Sequence, residues 1–145
     1  MREGEYLDRF WEVLSHIRYV KLQFTIRWMN DTRVPREKVS ALRGGVGEML
    51  LRANCIRDRV CDHCDFINEC IVQRMMYGKY DHRPEFVTTG ESVGYVFEWE
   101  DYAEAVISGE RSHFQLLLFG KNIVYFSQYL QAIHALGCVG LGKNH

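Results

Sequence analysis

The sequence lacks any long apolar run, and no segment approaches the ~18–20 residues that a membrane-spanning helix needs. It also lacks a basic stretch followed by an apolar one at its start, so it predicts no secretory signal. Only 2 of the 145 residues are prolines, and the formal net charge is −1, with 18 basic and 19 acidic side chains. These features argue against a membrane protein and a globally basic nucleic-acid binder, and favour a cytoplasmic protein of one globular domain.

Charge is spread unevenly along the chain. Residues 27–59 carry eight basic and four acidic side chains, whereas residues 85–110 carry seven acidic side chains and no lysine or arginine. The first region could attract phosphate groups, and the second would repel them. The alternative interpretation is two solvated faces of opposite sign.

Four of the five cysteines fall within sixteen residues, with the spacing C-x5-C-x2-C-x5-C: Cys55, Cys61, Cys64 and Cys70. An odd total without a secretory signal argues against a disulfide framework. The central C-x2-C pair is typical of a metal knuckle, and the flanking cysteines can complete a tetrahedron. We expect the metal to be structural, because four thiolates leave no open coordination position for catalysis. Zinc is favoured over a [4Fe–4S] cluster, which four thiolates can also bind. The alternative is four buried free cysteines.

Hydrophobic periodicity predicts an α+β domain. Apolar residues recur at helical steps or alternate at strand steps in segments 5–17 (helix), 19–29 (strand), 36–53 (helix), 92–100 (strand), 112–119 (strand) and 123–136 (helix). We expect Asn122 to cap the last helix and Gly137 to stop it. The order predicts a ferredoxin-like (RRM-like) βαββα(β) sandwich over residues 1–145, without its final strand and with a cysteine-rich, metal-binding insert at 54–84.

The helix at 36–53 contains three glycines, each of which costs about 1 kcal/mol relative to alanine. Gly44 and Gly45 follow Arg43 directly. Two explanations remain open at this stage. The glycines allow close packing on a neighbouring element, or their exposed backbone and Arg43 meet an RNA phosphate.

Several stretches together resemble the RAMP superfamily of CRISPR-associated proteins, which act in antiviral defence. Ala41-Leu-Arg-Gly-Gly-Val-Gly-Glu-Met-Leu50 is similar to the "alRGafGhaL" helix of that superfamily. The cysteine cluster, the strand ending Leu117-Leu118-Phe119-Gly120 and the turn Gly137-Cys-Val-Gly-Leu-Gly-Lys143 follow in an order typical of the endoribonucleases that process precursor CRISPR RNA. The resemblance covers about residues 18–143.

The resemblance implies two tandem ferredoxin-like domains, of which this chain would be the N-terminal one and the second would be absent. It implies CRISPR repeat RNA and other CRISPR-associated proteins as partners. The implied reaction needs no cofactor: a 2′-hydroxyl attacks the adjacent phosphate and leaves a 2′,3′-cyclic phosphate. The RNA-binding residues expected on these grounds are Arg36, Lys38, Arg43, Gly44, Gly45, Gly140, Gly142 and Lys143.

The sequence departs from the resemblance where several family members place a catalytic histidine, near the first helix of the domain. Basic residues but no histidine occur there, and His82 is the remaining candidate. We therefore expect little cleavage by this chain alone. Two alternatives stay open: a non-catalytic RAMP subunit that holds guide RNA in an effector complex, and a metal-stapled protein-interaction module unrelated to RNA.

Overall fold

The computed structural model describes residues 3–79, 82, 85 and 94–141. In chain order these form α1 (Glu3–Ser15), β1 (Tyr19–Arg27), β2 (Thr32–Arg33), α2 (Lys38–Asn54), a 3-10 helix (Cys61–His63), α3 (Ile71–Met76), β3 (Tyr95–Glu98), β4 (Ala105–Val106), β5 (Arg111–Phe119), a second 3-10 helix (Gly120–Tyr125) and α4 (Phe126–Val139). No helix in this part of the chain is long and apolar enough to cross a bilayer.

The main sheet has three antiparallel strands in the order β1-β5-β3. Strand β5 is central, and it pairs with β1 over its whole length, from Tyr19 opposite Phe119 to Arg27 opposite Arg111. Strands β2 and β4 form a separate small ladder. The order of the main sheet is that of the first three strands of a ferredoxin-like domain, so the predicted α+β fold is confirmed. Within the described residues, no strand pairs with the outer edge of β1.

Side chains alternate along β5 and divide the sheet into two faces. Ser112, Phe114, Leu116 and Leu118 are buried, while the intervening residues are exposed or half-buried. Strand β1 shows the matching alternation, with its apolar residues half-buried. Because successive strand residues point to opposite faces, one face packs on the helices and the other stays open to solvent.

Helices α2, α3 and α4 cover the buried face. Their apolar residues form one core with the inward residues of the sheet; the helical members are Leu42, Val46, Met49, Leu50, Val72, Met75, Met76, Tyr129, Ala132, Ile133 and Leu136. Tyr129 lies within this core, and its hydroxyl donates to the carbonyl oxygen of Met75 at 2.8 Å. Burial raises the pKa of Tyr129, so the phenol stays protonated and keeps this hydrogen bond.

Two expectations about the last helix are wrong. Asn122 is not an N-cap: it is buried in the second 3-10 helix, and its amide donates to the carbonyl of Met75 at 3.0 Å and to the hydroxyl of Tyr129 at 3.1 Å. Gly137 does not stop the helix either, because α4 continues to Val139. The stop is Gly140, whose φ of 105° is accessible to glycine at little cost.

The other predicted elements agree with the periodicity, with boundaries shifted by a few residues, whereas β2, α3, β4 and the two 3-10 helices were not predicted. Helix α1 starts and ends two residues earlier than expected, and β1 ends at Arg27 rather than at residue 29. Of the strand expected over 92–100, residues 95–98 are extended, while residues 92 and 93 lie outside the described part of the chain. Helix α1 leaves apolar side chains exposed, Trp11 and Val13 among them.

Gly45 is the point of close approach between α2 and α4. A Cβ atom built on Gly45 would lie 2.7 Å from both methyl carbons of Leu136, whereas the same atom on Gly44 would meet nothing within 4 Å. The packing explanation therefore holds for Gly45. Gly44 is exposed and keeps its backbone accessible.

We predict that Gly45→Val destabilises the domain by about 1–3 kcal/mol relative to Gly44→Val, because only the first overpacks the contact between α2 and α4. The two variants change helix propensity alike, so their difference reports packing alone. Urea unfolding followed by circular dichroism measures it. Equal unfolding free energies in the two variants would contradict the close contact.

Candidate nucleic-acid interface and cysteine cluster

The open face of the sheet carries polar and aromatic side chains. It is defined here as the outward residues of the three strands: Tyr19, Lys21, Gln23, Thr25 and Arg27 of β1; Arg111, His113, Gln115, Leu117 and Phe119 of β5; Val96 and Glu98 of β3. These residues come together because the strand register aligns the two alternations.

One end of the open face is basic. Arg27 and Arg111 are direct cross-strand partners, and both are exposed. Neither arginine forms an ion pair within the described residues. The next cross-strand pair on this face is Thr25 and His113, whose Oγ1 and Nδ1 atoms are 3.0 Å apart. Like charges directly opposite each other destabilise a sheet. An anion bound between Arg27 and Arg111 would offset this repulsion.

The opposite end of the open face is aromatic. Tyr19 and Phe119 are cross-strand partners with ring centroids 6.1 Å apart and planes tilted by 36°. Tyr19 is 61% exposed, so its ring presents a stacking surface to solvent. Between the two ends, the Lys21 ammonium lies 3.7 Å from the Glu98 carboxylate, which neutralises the middle of the face. The face thus runs from an aromatic end to a basic end.

The RNA-binding residues expected on and just before α2 differ in their accessibility to a ligand. Arg43 and Gly44 are exposed, and the Arg43 guanidinium lies 5.9 Å from the centre of the Tyr95 ring, within the range of a cation–π contact. Arg36 is exposed in the loop before α2. These three positions are accessible to a ligand, whereas Gly45 is half-buried against α4.

Lys38 does not fit the expected RNA-binding set. Its side chain is fully buried, and its ammonium donates to the carbonyl oxygens of Asp101 at 2.7 Å and Ala103 at 2.5 Å. The Asp101 carboxylate lies 3.9 Å away. The lysine therefore ties the start of α2 to the loop before β4, and its charge is not available to a phosphate.

Gly140 lies beside a cavity of about 270 Å³ at the end of β1 and α4. The cavity wall includes Trp28 and Trp99, which stack with ring centroids 6.5 Å apart. The Trp99 indole nitrogen is buried and has no hydrogen-bond partner among the described residues.

Gly142 and Lys143 fall outside the described residues, so their expected role stays a prediction. His82 is described and exposed.

The cysteine cluster occupies the turn between α2 and α3. Cys55 follows α2, Cys61 begins the first 3-10 helix, Cys64 follows that helix, and Cys70 precedes α3. All four are free thiols and line one small cavity of about 20 Å³. Within the described residues, no three histidine, cysteine or carboxylate side chains are already arranged to hold a metal ion. The thiols of Cys55 and Cys61 instead lie 3.7 Å and 3.9 Å from the carbonyl oxygens of Arg57 and Arg59.

An ion pair fastens this turn to α2. The Arg59 guanidinium contacts both carboxylate oxygens of Glu48, at 2.8 Å and 3.1 Å, and Arg52 contacts the same carboxylate at 2.9 Å. The hydrogen bond from Arg59, followed by that from Arg52, lowers the pKa of Glu48 below its ordinary value. Arg59 has φ of 68°, in the left-handed region that residues other than glycine seldom adopt.

Sequence reasoning missed the β5 half of the open face. Arg111 and His113 precede a run of leucines, and that run by itself indicates a strand buried as a whole. The available signal was the alternation Arg111-Ser-His-Phe-Gln-Leu, which matches the polar–apolar alternation of β1. Which residues face each other across the sheet depends on the register, and the sequence does not specify it.

The fold and the family are also shown by comparison with known proteins. The structure is similar to a chain in the crystal structure of a Csm3–Csm4 subcomplex of the type III-A CRISPR–Cas interference complex, with a TM-score of 0.58 over 88% of this chain and 70% of that chain. The sequence identity is 17%, so this likeness establishes the fold. Residues 17–145 match the model of the AF_1859_N family, an N-terminal domain, and the chain belongs to that family. No curated protein matches the sequence significantly.

We predict that Lys38→Met lowers the free energy of unfolding by about 1–3 kcal/mol, because it leaves two carbonyls in the loop before β4 without their donor. Arg36→Met is the matched control, and its exposed side chain should change stability by less than about 0.5 kcal/mol. Urea unfolding measures both variants. A Lys38→Met protein as stable as the control would show that the buried lysine is dispensable.

Proposed function

We propose that this domain binds single-stranded RNA on the open face of its sheet, as an RNA-binding component of a CRISPR ribonucleoprotein. The observation that carries the proposal is the exposed cross-strand pair of Arg27 and Arg111, which have no ion-pair partner within the described residues. A phosphate between two guanidinium groups would accept hydrogen bonds from both and remove their repulsion.

The aromatic end suits the bases of the same strand. Unstacked bases in single-stranded RNA pack on aromatic side chains at about 1–3 kcal/mol per base, whatever the base. Tyr19 and Phe119 offer two adjacent rings, and the nine-residue length of β1 separates them from the arginine pair. At ~3.3 Å per residue this span accommodates several nucleotides. The arrangement favours binding with weak sequence preference.

Two independent lines support an assembly of the CRISPR type. The sequence resembles RAMP proteins in its glycine-bearing helix, and the fold is shared with a chain of a Csm3–Csm4 subcomplex. That neighbour associates with another CRISPR-associated protein, so we infer protein partners of the same kind for this domain. A second tandem domain remains a prediction of the resemblance.

We predict that Arg27→Ala/Arg111→Ala weakens the binding of a short, labelled, unstructured RNA, and that the slope of log K against log salt becomes shallower by about 0.7. The second value is the slope expected for the one phosphate of a single strand that the variant no longer neutralises. Fluorescence anisotropy over a salt series measures both quantities. Urea unfolding of the variant verifies that it is folded.

The matched control is Arg36→Ala/Arg43→Ala, which removes the same charge from the vicinity of α2. If RNA binds the open face, this variant retains most of its affinity. Loss of affinity in the α2 variant alone would place the RNA on α2 and overturn the proposal. Absence of salt-dependent binding in the unaltered protein would favour the protein-interaction module instead.

Precursor cleavage is the second candidate function, and the position of His113 favours it. Its imidazole is exposed beside the arginine pair, so it could take the proton of a 2′-hydroxyl on RNA bound there. The O2′–P bond would form, the P–O5′ bond would break, and the 5′ oxygen would take a proton from water. The two guanidinium groups would stabilise the charge on the phosphorane.

If the domain cleaves RNA, we predict that His113→Ala lowers the single-turnover rate by about 100-fold or more while affinity is unchanged. His82→Ala is the matched control and should retain the rate. The assay follows the 2′,3′-cyclic phosphate end in the presence of a chelator. An unaltered protein that binds repeat RNA without cleaving it would reject this second function and leave the binding function intact.

A further inference from the structure

The cysteine cluster forms the interior of its own segment. In residues 55–70, every side chain is exposed except the four cysteines of the cluster and Ile67, which are half-buried. A segment of this length ordinarily turns apolar side chains inward to offset the entropy lost on ordering it. Here the inward positions hold thiols, which supply little apolar surface. Something other than hydrophobic burial must stabilise the segment.

All four cysteines of the cluster line one small enclosure. Its volume of about 20 Å³ slightly exceeds the ~10–15 Å³ that one water molecule needs. The remaining wall includes the apolar side chains of Leu51, Ile67 and Val72.

We propose that Cys55, Cys61, Cys64 and Cys70 bind one zinc ion tetrahedrally. Four soft thiolate ligands in this geometry select zinc or iron, and they leave no vacant position for a substrate. Binding requires the four side chains to turn from their present rotamers until each sulfur lies at ~2.3 Å from the ion. All four residues already border the enclosure.

The surrounding charge suits a zinc–tetrathiolate centre, which carries a net charge of −2. Arg57 and Arg59 both line the enclosure, and each places one positive charge in the same segment as the four cysteines. The Arg57 guanidinium lies 3.7 Å from the Asp65 carboxylate. Arg59 is at the same time held by Glu48 of α2. The metal would therefore join the end of α2, the first 3-10 helix and the start of α3 into one unit.

The test is the metal content of the full chain, purified without chelator, by inductively coupled plasma mass spectrometry. We expect one zinc per chain, and we expect Cys61→Ser and Cys64→Ser to lose it. Cys138→Ser is the matched control, because this exposed fifth cysteine is outside the enclosure and its replacement should leave zinc binding intact.

Two further measurements use the unaltered protein, so they test the proposal even if the serine variants fail to fold. In the unaltered protein, we expect Ellman's reagent to titrate one thiol, Cys138, before a strong chelator is added and five afterwards. Cobalt substitution should give the intense visible absorption of a tetrahedral thiolate site. Five reactive thiols without chelator, or protein free of zinc after growth with zinc, would overturn the proposal. A brown protein with four irons and sulfide would also overturn it. None of these measurements depends on RNA binding.

Discussion

The strict alternation of inward and outward residues along β1 and β5 is the constraint on which the rest of the molecule depends. Strand β5 pairs with both of its neighbours, and its residues Phe114, Leu116 and Leu118 are the buried centre of the core. Because every second residue points inward, the residues between them must face outward, on the side of the sheet away from the core that α2, α3 and α4 build. The same pattern that builds the core thus aligns Arg27 with Arg111 and Tyr19 with Phe119.

Periodicity was enough to predict the class of fold and most of its elements. The glycine-bearing helix at 36–53 corresponds to Lys38–Asn54, and the strand at 112–119 corresponds to Arg111–Phe119. Local sequence signals gave wrong predictions for Asn122 and Gly137, because packing in the folded protein determines the roles of both residues. Asn122 has the chemistry of a helix cap, but Met75 and Tyr129 offer its amide buried partners inside the core. Gly137 can end a helix, but nothing in the packing requires the chain to turn there.

The candidate site was predictable only in part, for two physical reasons. A lysine in a basic stretch has the same sequence signature whether it binds phosphate or the carbonyls of a buried loop, and Lys38 does the second. The open face depends on pairing between residues about 90 positions apart, such as Thr25 and His113, and no local pattern reports that pairing. The four clustered cysteines are close in sequence, and the structure places them around one enclosure. The metal that they would hold stays a proposal.

The outer edge of β1 can pair with a strand of another chain. Along this edge, main-chain donors and acceptors have no strand partner within the described residues, and such an edge is a template for intermolecular pairing. Charged side chains near an edge oppose that pairing, and on β1 they are Lys21 and Arg27. Arg27 is exposed at this edge strand, so its charge disfavours pairing with a strand of another chain.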